Sequence, residues 1–254
     1  MTRSQHTVVT DQFGPRAAAY VQSAVHAQGE DLDRLEAIAH AAAPATALDV
    51  GTGGGHVAYR LAAHAGQVTA CDLSEEMLAA VAETARGRGI GNLTTRAAPA
   101  ERLPFEDGAF DLVATRFSAH HWHDVDAGLR EMRRVARAGA TAVIVDAYSP
   151  GHPLLDTHLQ AVELLRDTSH VRDYTAAEWQ GVLARAGFAV REARTWRIRL
   201  DFASWIARMR TPDDNVRAIR ALQAAAPAEA RAHFAVEADG SFMLDVILFE
   251  ATAA

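Results

Sequence analysis

The chain has 254 residues, of which 49% are hydrophobic, and its 25 basic and 32 acidic residues give a formal net charge of −7. This length and apolar content suffice for one large domain with a buried core, whereas the acidic balance disfavours nucleic acid or an anionic membrane surface as the main partner. Every basic residue is an arginine, which excludes a Schiff-base lysine and a phosphate-binding P-loop lysine.

Nothing in the sequence predicts a membrane span or secretion. No run of about 18 apolar residues is present, and the polar start lacks the apolar segment of a secretory signal. The single cysteine, Cys71, lies in an apolar strand pattern and cannot form an internal disulfide. We therefore expect a cytoplasmic protein.

Along the chain, short apolar runs alternate with segments of helical spacing. The predicted helices are 31–43, 54–65, one capped by Ser74, 124–139, and one that runs from the capping box of Thr175 and Glu178 to Gly187. The predicted strands are 46–50, 67–73, 93–97, 110–117, 141–147 and 188–200. Strands that alternate with helices at this spacing predict a parallel, doubly wound sheet.

The C-terminal part of the chain departs from this alternation. Residues 148–174 fit neither pattern cleanly, although 155–167 have helical spacing, and two further helical stretches follow the sixth strand. In the closing segment, 233–253, Asp239-Gly240 is a turn signal between two strand-like runs, so we expect an antiparallel last strand.

The first predicted strand runs directly into a glycine-rich loop with the spacing D-x-G-x-G-x-G, from Asp49 to Gly55. In a doubly wound sheet, ligands bind beyond the carboxyl ends of the strands, where this loop lies. A dinucleotide site needs G-x-G-x-x-G, but the sixth position counted from Gly51 is His56. Asp49 would repel a pyrophosphate and suits a cationic group, while Asp72, after the second strand, can accept hydrogen bonds from two ribose hydroxyls. A ribose with a cationic amino-acid tail is S-adenosylmethionine; a dinucleotide-dependent oxidoreductase is the alternative.

Four sequence blocks resemble class I S-adenosylmethionine-dependent methyltransferases of the type-11 group, which is related to the ubiquinone and menaquinone biosynthesis C-methyltransferases. The blocks keep the order and spacing of that group and cover roughly residues 10–147. They are LDVGTGGG (48–55), VTACDLSEEML (68–78), ERLPFEDGAFDLV (101–113) and EMRRVARAGA (131–140). The resemblance implies methyl transfer from S-adenosylmethionine to a small-molecule acceptor by in-line displacement, with S-adenosylhomocysteine as product. A binding protein that keeps the cofactor pocket without turnover is the non-enzymatic alternative.

The same resemblance implies a Rossmann-like methyltransferase fold: a doubly wound, mostly parallel seven-stranded sheet with an antiparallel last strand and a helical lid. It predicts a single domain over 1–254. Within it, 1–30 would cover the cofactor, 31–147 would form the cofactor-binding core, and 148–174 and 196–226 would lie on the substrate side.

Residue by residue, the resemblance assigns the methionine part of the cofactor to the glycine loop, the ribose to Asp72, and the adenine to Leu73, Met77 and the segment around Pro99. Many members of the group have an acidic residue where this chain has Pro99, so backbone groups or Glu101 would bind the adenine edge. An aromatic residue of the N-terminal segment would fold over the cofactor. The full set implied for cofactor binding is Asp49, Gly51, Thr52, Gly53, Gly55, Asp72, Leu73, Met77, Pro99, Ala100, Arg116, Phe117, Phe13 and Tyr20.

Three histidines follow the fourth predicted strand, in SAHHWHD (118–124). His120 and His121 are adjacent and would point in different directions, and no cysteine joins them, so we expect no metal site. The resemblance places His121 or His120 at the active-site wall, where an imidazole can act as general base; a structural histidine is the alternative. A base is needed only if the acceptor loses a proton, because alignment can supply much of the acceleration.

Aromatic residues and arginines in the two substrate-side segments suit a small aromatic or carboxylated acceptor. Nucleic-acid N-methyltransferases have (N/D)PP(Y/F) after the fourth strand, where this chain has TRFSAHH (115–121), so we do not expect base methylation. The sequence leaves a homodimer open. The candidate residues on the acceptor side are Trp122, Tyr148, His152, His158, Tyr174, Trp196, Trp205, Arg172, Arg208 and Arg210.

Overall fold

The computed structural model describes residues 3–17 and 27–254. Tyr20, one of the two aromatic residues predicted to cover the cofactor, lies outside the described residues. Helix α1 (Gln5–Phe13) continues into a short 3₁₀ turn, and helix α2 (Glu30–Ala42) leads to the first strand. Within the described ranges, no helix is long and apolar enough to cross a membrane.

Seven strands form one sheet in the order β3-β2-β1-β4-β5-β7-β6, in which only β7 runs antiparallel to its neighbours. The strands are β1 (Thr46–Val50), β2 (Gln67–Asp72), β3 (Leu93–Ala97), β4 (Phe110–Arg116), β5 (Ala136–Ala147), β6 (Phe188–Leu200) and β7 (Phe242–Ala253). The other α-helices in the described residues are α3 (His56–Ala62), α4 (Glu75–Gly87), α5 (Val125–Val135), α6 (Pro153–Arg166), α7 (Ala176–Ala186), α8 (Phe202–Met209), α9 (Asp213–Ala225) and α10 (Ala228–His233). The predicted fold class is confirmed.

Alternation along the strands gives the sheet two apolar faces. Leu48 of β1 belongs to a buried cluster with Leu129 of α5 and Trp179 of α7. Its neighbour Ala47 belongs to a second cluster with Leu35 of α2. Both faces are therefore covered by helices, as expected for a largely parallel sheet.

A third apolar cluster lies at the carboxyl end of the sheet. It joins Ala147 and Leu200, the last residues of β5 and β6, to Leu159 of α6, Trp205 of α8 and Ile219 of α9. These helices therefore stand beside the strand ends where ligands bind in this class of fold.

The capping signals in the sequence are confirmed. The Ser74 side chain accepts a hydrogen bond from the Met77 amide at 3.2 Å and begins α4. Thr175 and Glu178 form the reciprocal capping box that begins α7, and Gly187 ends that helix with φ +92°.

Several predicted boundaries were wrong, among them the helix predicted at 54–65, which covers 56–62, and the strand predicted at 141–147, which begins at Ala136. Helix α5 ends at Val135 rather than in the Gly139 turn, because Ala136 already pairs with Phe110 and the chain continues as β5. The predicted strand-like run before Asp239 is not a strand; α10 ends at His233, and β7 pairs with the distant β5 and β6 instead of a hairpin partner.

Candidate active site

The glycine loop lies beyond the carboxyl end of β1, next to the loop that follows β4. Gly51 and Gly53 have φ values of +69° and +50°, which favour glycine. A Cβ at Gly51 would lie 1.8 Å from Ser118 Oγ, so only glycine allows the two loops to approach this closely. A Cβ at Gly53 would meet no atom within 4 Å, which shows that this position faces open space.

Asp72, the last residue of β2, holds the loop backbone. One carboxylate oxygen accepts the Gly53 amide at 2.9 Å, and the other accepts the Ser74 amide at 3.0 Å. Burial raises the pKa of Asp72, although the backbone hydrogen bonds oppose that shift. Each oxygen keeps capacity for a further donor.

Asp49 is 1% exposed and precedes the loop. Its Oδ2 accepts hydrogen bonds from Thr52 Oγ1 at 2.6 Å and from the Ala58 amide at 3.1 Å. Burial raises the pKa of Asp49 to about 7, against the opposing effect of these hydrogen bonds. A cation beside Asp49 would favour its ionised form.

A cavity of about 990 Å³, here called the first cavity, opens beside the loop. Gly55 and Pro99 do not line it: a Cβ at Gly55 would lie 2.7 Å from the Tyr59 ring, and Pro99 stands between two residues that do line the wall. The predicted residues on its wall are Asp49, Gly51, Thr52, Gly53, Asp72, Leu73, Met77, Ala100, Arg116, Phe117, Phe13 and His121.

The sequence analysis did not assign several residues that line this cavity. His6 and Val9 come from α1, and Ser118 comes from the loop after β4. Trp122, expected on the acceptor side, also lines the first cavity and donates from Nε1 to Ser118 Oγ at 3.0 Å. A Cβ at Gly128 would lie 2.4 Å from the Trp122 ring. Gly128, a glycine inside an otherwise regular helix, was therefore the sequence signal for the position of this ring.

Arg116 and Phe117 end β4 at the boundary of this cavity. Arg116 Nε lies 2.5 Å from Asp31 Oδ2 of α2, and both side chains are buried. The Arg116 guanidinium stacks on the Phe117 ring at 4.6 Å, and Phe117 has φ +50°. The ion pair thus helps to fix the position of the Phe117 ring.

The two adjacent histidines have different surroundings. His120 Nδ1 lies 2.5 Å from the Asp146 carboxylate, which also accepts the His120 amide at 3.2 Å. Burial alone would lower the pKa of His120, but the Asp146 carboxylate outweighs it and raises the pKa to about 9. His120 is therefore a protonated partner of Asp146 at neutral pH and does not line the first cavity.

His121 is neutral at physiological pH. Burial and the neighbouring His120 charge lower the pKa of His121 to about 4. Its Nδ1 lies 3.2 Å from the Ser169 carbonyl oxygen, which can only accept, so Nδ1 carries the proton and Nε2 keeps its lone pair. Phe13 packs edge-on against His121, with ring centroids 5.0 Å apart.

A second cavity of about 660 Å³ adjoins the first, and Phe13, Phe117 and His121 belong to the walls of both. Of the candidates for acceptor binding, Trp205 and Arg208 line this cavity. The polar residues that the sequence analysis missed here are Glu163, Arg166, Asp167 and Asp173.

Across residues 3–17 and 27–254, no group of three or more histidine, cysteine or acidic side chains could hold a metal ion. The expectation of no metal site stays a prediction.

Comparison with known proteins identifies the family. Residues 48–144 match a family described as Methyltransferase domain. The Bacillus subtilis protein called Uncharacterized methyltransferase YcgJ is 32% identical over 243 residues, which cover 94% of this chain and 96% of that protein. The chain belongs to the S-adenosylmethionine-dependent methyltransferases. The crystal structure of YcgJ matches this methyltransferase with a TM-score of 0.84 over 87% of this chain and 97% of that chain.

Two further proteins are similar to this chain. The Escherichia coli protein called Uncharacterized protein YafE is 47% identical over 197 residues, or 78% of this chain and 95% of that protein. The ubiquinone/menaquinone biosynthesis C-methyltransferase UbiE of Shewanella woodyi is 36% identical over 91 residues, or 35% of this chain and 36% of that protein. The predicted relationship to this group is confirmed, and the oxidoreductase alternative is disfavoured.

Proposed function

We propose that this methyltransferase holds S-adenosylmethionine in the first cavity and a small-molecule acceptor in the second. The proposal rests on the observation that the two cavities meet: Phe13, Phe117 and His121 belong to the walls of both. In-line displacement requires the methyl donor and acceptor to approach along one line, and adjoining cavities support that alignment.

The first cavity fits the chemistry of the cofactor. Asp72 would accept the ribose hydroxyls with the lone pairs that its two backbone hydrogen bonds leave open. Asp49 would face the cationic amino-acid part, beside the open space at Gly53. Leu73 and Met77 would pack on the adenine. When bound, S-adenosylmethionine supplies a methyl group activated by a sulfonium.

Of the two candidate bases, we assign the role to His121. His121 lines both cavities and its Nε2 keeps a lone pair, whereas His120 is already protonated and held by Asp146. An acceptor group that loses a proton on methylation would transfer it to His121 Nε2. His120 would keep His121 neutral and in place.

Helix α1 would cover the site. Gln5 Nε2 donates to the Ser169 carbonyl oxygen at 2.6 Å and to the His121 carbonyl oxygen at 3.2 Å, which anchors α1 across both cavities. Within the segments 148–174 and 196–226, the residues that line the second cavity would bind the acceptor, because they supply most of its polar side chains; Asp214 is not among them.

A methyl-transfer assay tests the proposal. The purified protein is incubated with S-adenosylmethionine that carries a tritiated methyl group and with a cell extract, and the products are separated by size. We expect label on a small molecule with an equal amount of S-adenosylhomocysteine, and loss of both in Asp72→Ala. Asp214→Asn, on the exposed face of α9, should retain full activity. Label on macromolecules, or no transfer, would contradict the proposal.

A further inference from the structure

Two acidic residues that line the second cavity each have one side-chain oxygen that lacks a hydrogen-bond partner. Oδ2 of Asp167 and Oδ2 of Asp173 are both buried, and no group in the described part of the chain bonds to either. Each residue is 1% exposed and lines the cavity. Because an unsatisfied buried polar atom is costly, the wall favours a ligand that forms hydrogen bonds with these two carboxyl groups.

Asp167 lies close to His121, a residue on the walls of both cavities. Its Oδ1 accepts from the Ser169 amide at 2.9 Å and from Ser169 Oγ at 2.6 Å. Its Oδ2 lies 3.9 Å from His121 Nε2. Both atoms carry lone pairs and neither can donate to the other, so a hydroxyl placed beside them can donate its single hydrogen to either one.

The charges in this wall are largely paired. Arg166 Nη1 lies 3.5 Å from Glu163 Oε2, and the Arg166 guanidinium stacks on the Trp205 ring at 5.0 Å. The His120 cation is paired with Asp146. Beyond these two pairs, Arg208 and the Asp167 carboxylate add one cation and one anion to the wall. A ligand with a net charge would therefore meet no excess of opposite charge, whereas a neutral ligand needs none.

Asp173 adds a further reason to expect a neutral ligand. Burial, with the nearby Glu163 carboxylate, raises the pKa of Asp173 to about 8, so this group is mostly uncharged at neutral pH. Apart from Arg208, the rest of the wall is apolar, with Ile198 and Leu200 contributing from the edge strand β6 and Leu244 from its neighbour β7.

We propose that the methyl acceptor is an uncharged molecule with an apolar body and a hydroxyl group, and that this hydroxyl donates to Asp167 beside His121. This inference rests on the proposed function, because it requires the second cavity to be the acceptor site. It narrows the sequence-based expectation of an aromatic or carboxylated acceptor and disfavours the carboxylated class.

Four naphthalene probes of similar size separate the chemical classes: 2-naphthol, 2-methoxynaphthalene, 2-naphthoate and 2-naphthylmethylamine. Each is titrated calorimetrically into protein saturated with S-adenosylhomocysteine. We expect 2-naphthol to bind at least about tenfold more tightly than the other three, as one hydrogen bond to a charged group allows. Asp167→Asn should reduce that preference to about threefold or less, and Asp173→Asn should reduce it partially.

The variants carry their own controls. S-adenosylhomocysteine binding shows whether each variant is folded, and Asp214→Asn is the matched surface change. Tightest binding by the anion or the amine, equal binding of 2-naphthol and 2-methoxynaphthalene, no binding of the series, or full preference in both variants would overturn the inference. Absence of S-adenosylhomocysteine binding to the wild-type protein would instead overturn the proposed function.

Discussion

Replacing Asp146 with asparagine tests the different roles assigned to the two adjacent histidines. Asp146 is 1% exposed, and its carboxylate holds both the ring and the amide of His120. Asparagine keeps the size of the side chain and can still accept a hydrogen bond, but it removes the charge that keeps His120 protonated. We expect a loss of stability that depends on pH.

The direction and size of this pH dependence follow from the pKa of His120. The pKa is about 9 in the folded protein, against about 6.5 for an unperturbed histidine. The stabilisation is therefore fully present below pH 6.5 and is lost as the pH rises through 9. Since each tenfold change in proton affinity corresponds to about 1.4 kcal/mol, the loss in Asp146→Asn should be about 3 kcal/mol larger at pH 6 than at pH 10.

Urea denaturation at the two pH values, followed by tryptophan fluorescence, measures this difference. Groups far from His120 titrate alike in both proteins and cancel. Asp214→Asn is the control: its side chain is 88% exposed, so the free energy of unfolding should change by less than about 0.5 kcal/mol at either pH. An equal loss at pH 6 and pH 10 would refute the reasoning, because His120 would then be neutral and free to act as the base.

Substitutions at Gly51 and Gly53 test the geometry of the glycine loop, and a substitution at His121 tests its role as the base. Gly51→Ala should abolish S-adenosylhomocysteine binding or lower the melting temperature sharply, because its Cβ would clash with Ser118. Gly53→Ala should cost only about 1 kcal/mol of backbone strain, because its Cβ would meet no other atom. Similar melting temperatures for the two variants would contradict this loop geometry. His121→Asn should lower kcat by roughly 10²- to 10⁴-fold for an acceptor that loses a proton. An unchanged kcat in His121→Asn would contradict the assignment of His121 as the base. In the wild type, the pKa of His121 is about 4, so we expect no inflection in kcat/KM from this group between pH 6 and 8.

Local patterns allowed much of the cofactor half to be predicted from the sequence. The strands at 46–50, 93–97 and 188–200 have the predicted bounds, because each is an apolar or alternating run between clear turn signals. The glycine loop and Asp72 meet as expected, since the carboxyl ends of neighbouring parallel strands lie at one edge of the sheet.

The acceptor side could not be predicted in the same way. Glu163 lies on α6, and Asp167 and Asp173 lie in the loop after it, with no spacing that marks a site. They gather around one cavity only because α6 and α8 pack against the ends of β5 and β6. The separate roles of His120 and His121 also depend on a distant residue, Asp146, that no local motif connects to them.

Isothermal titration of the protein with S-adenosylmethionine, S-adenosylhomocysteine and NADH tests the central claim most directly. We expect roughly micromolar binding of the first two ligands, loss of both in Asp72→Ala, wild-type affinity in Asp214→Asn, and no binding of NADH. Tight binding of NADH, or no binding of either adenosyl compound, would contradict the assignment of the first cavity as the cofactor site.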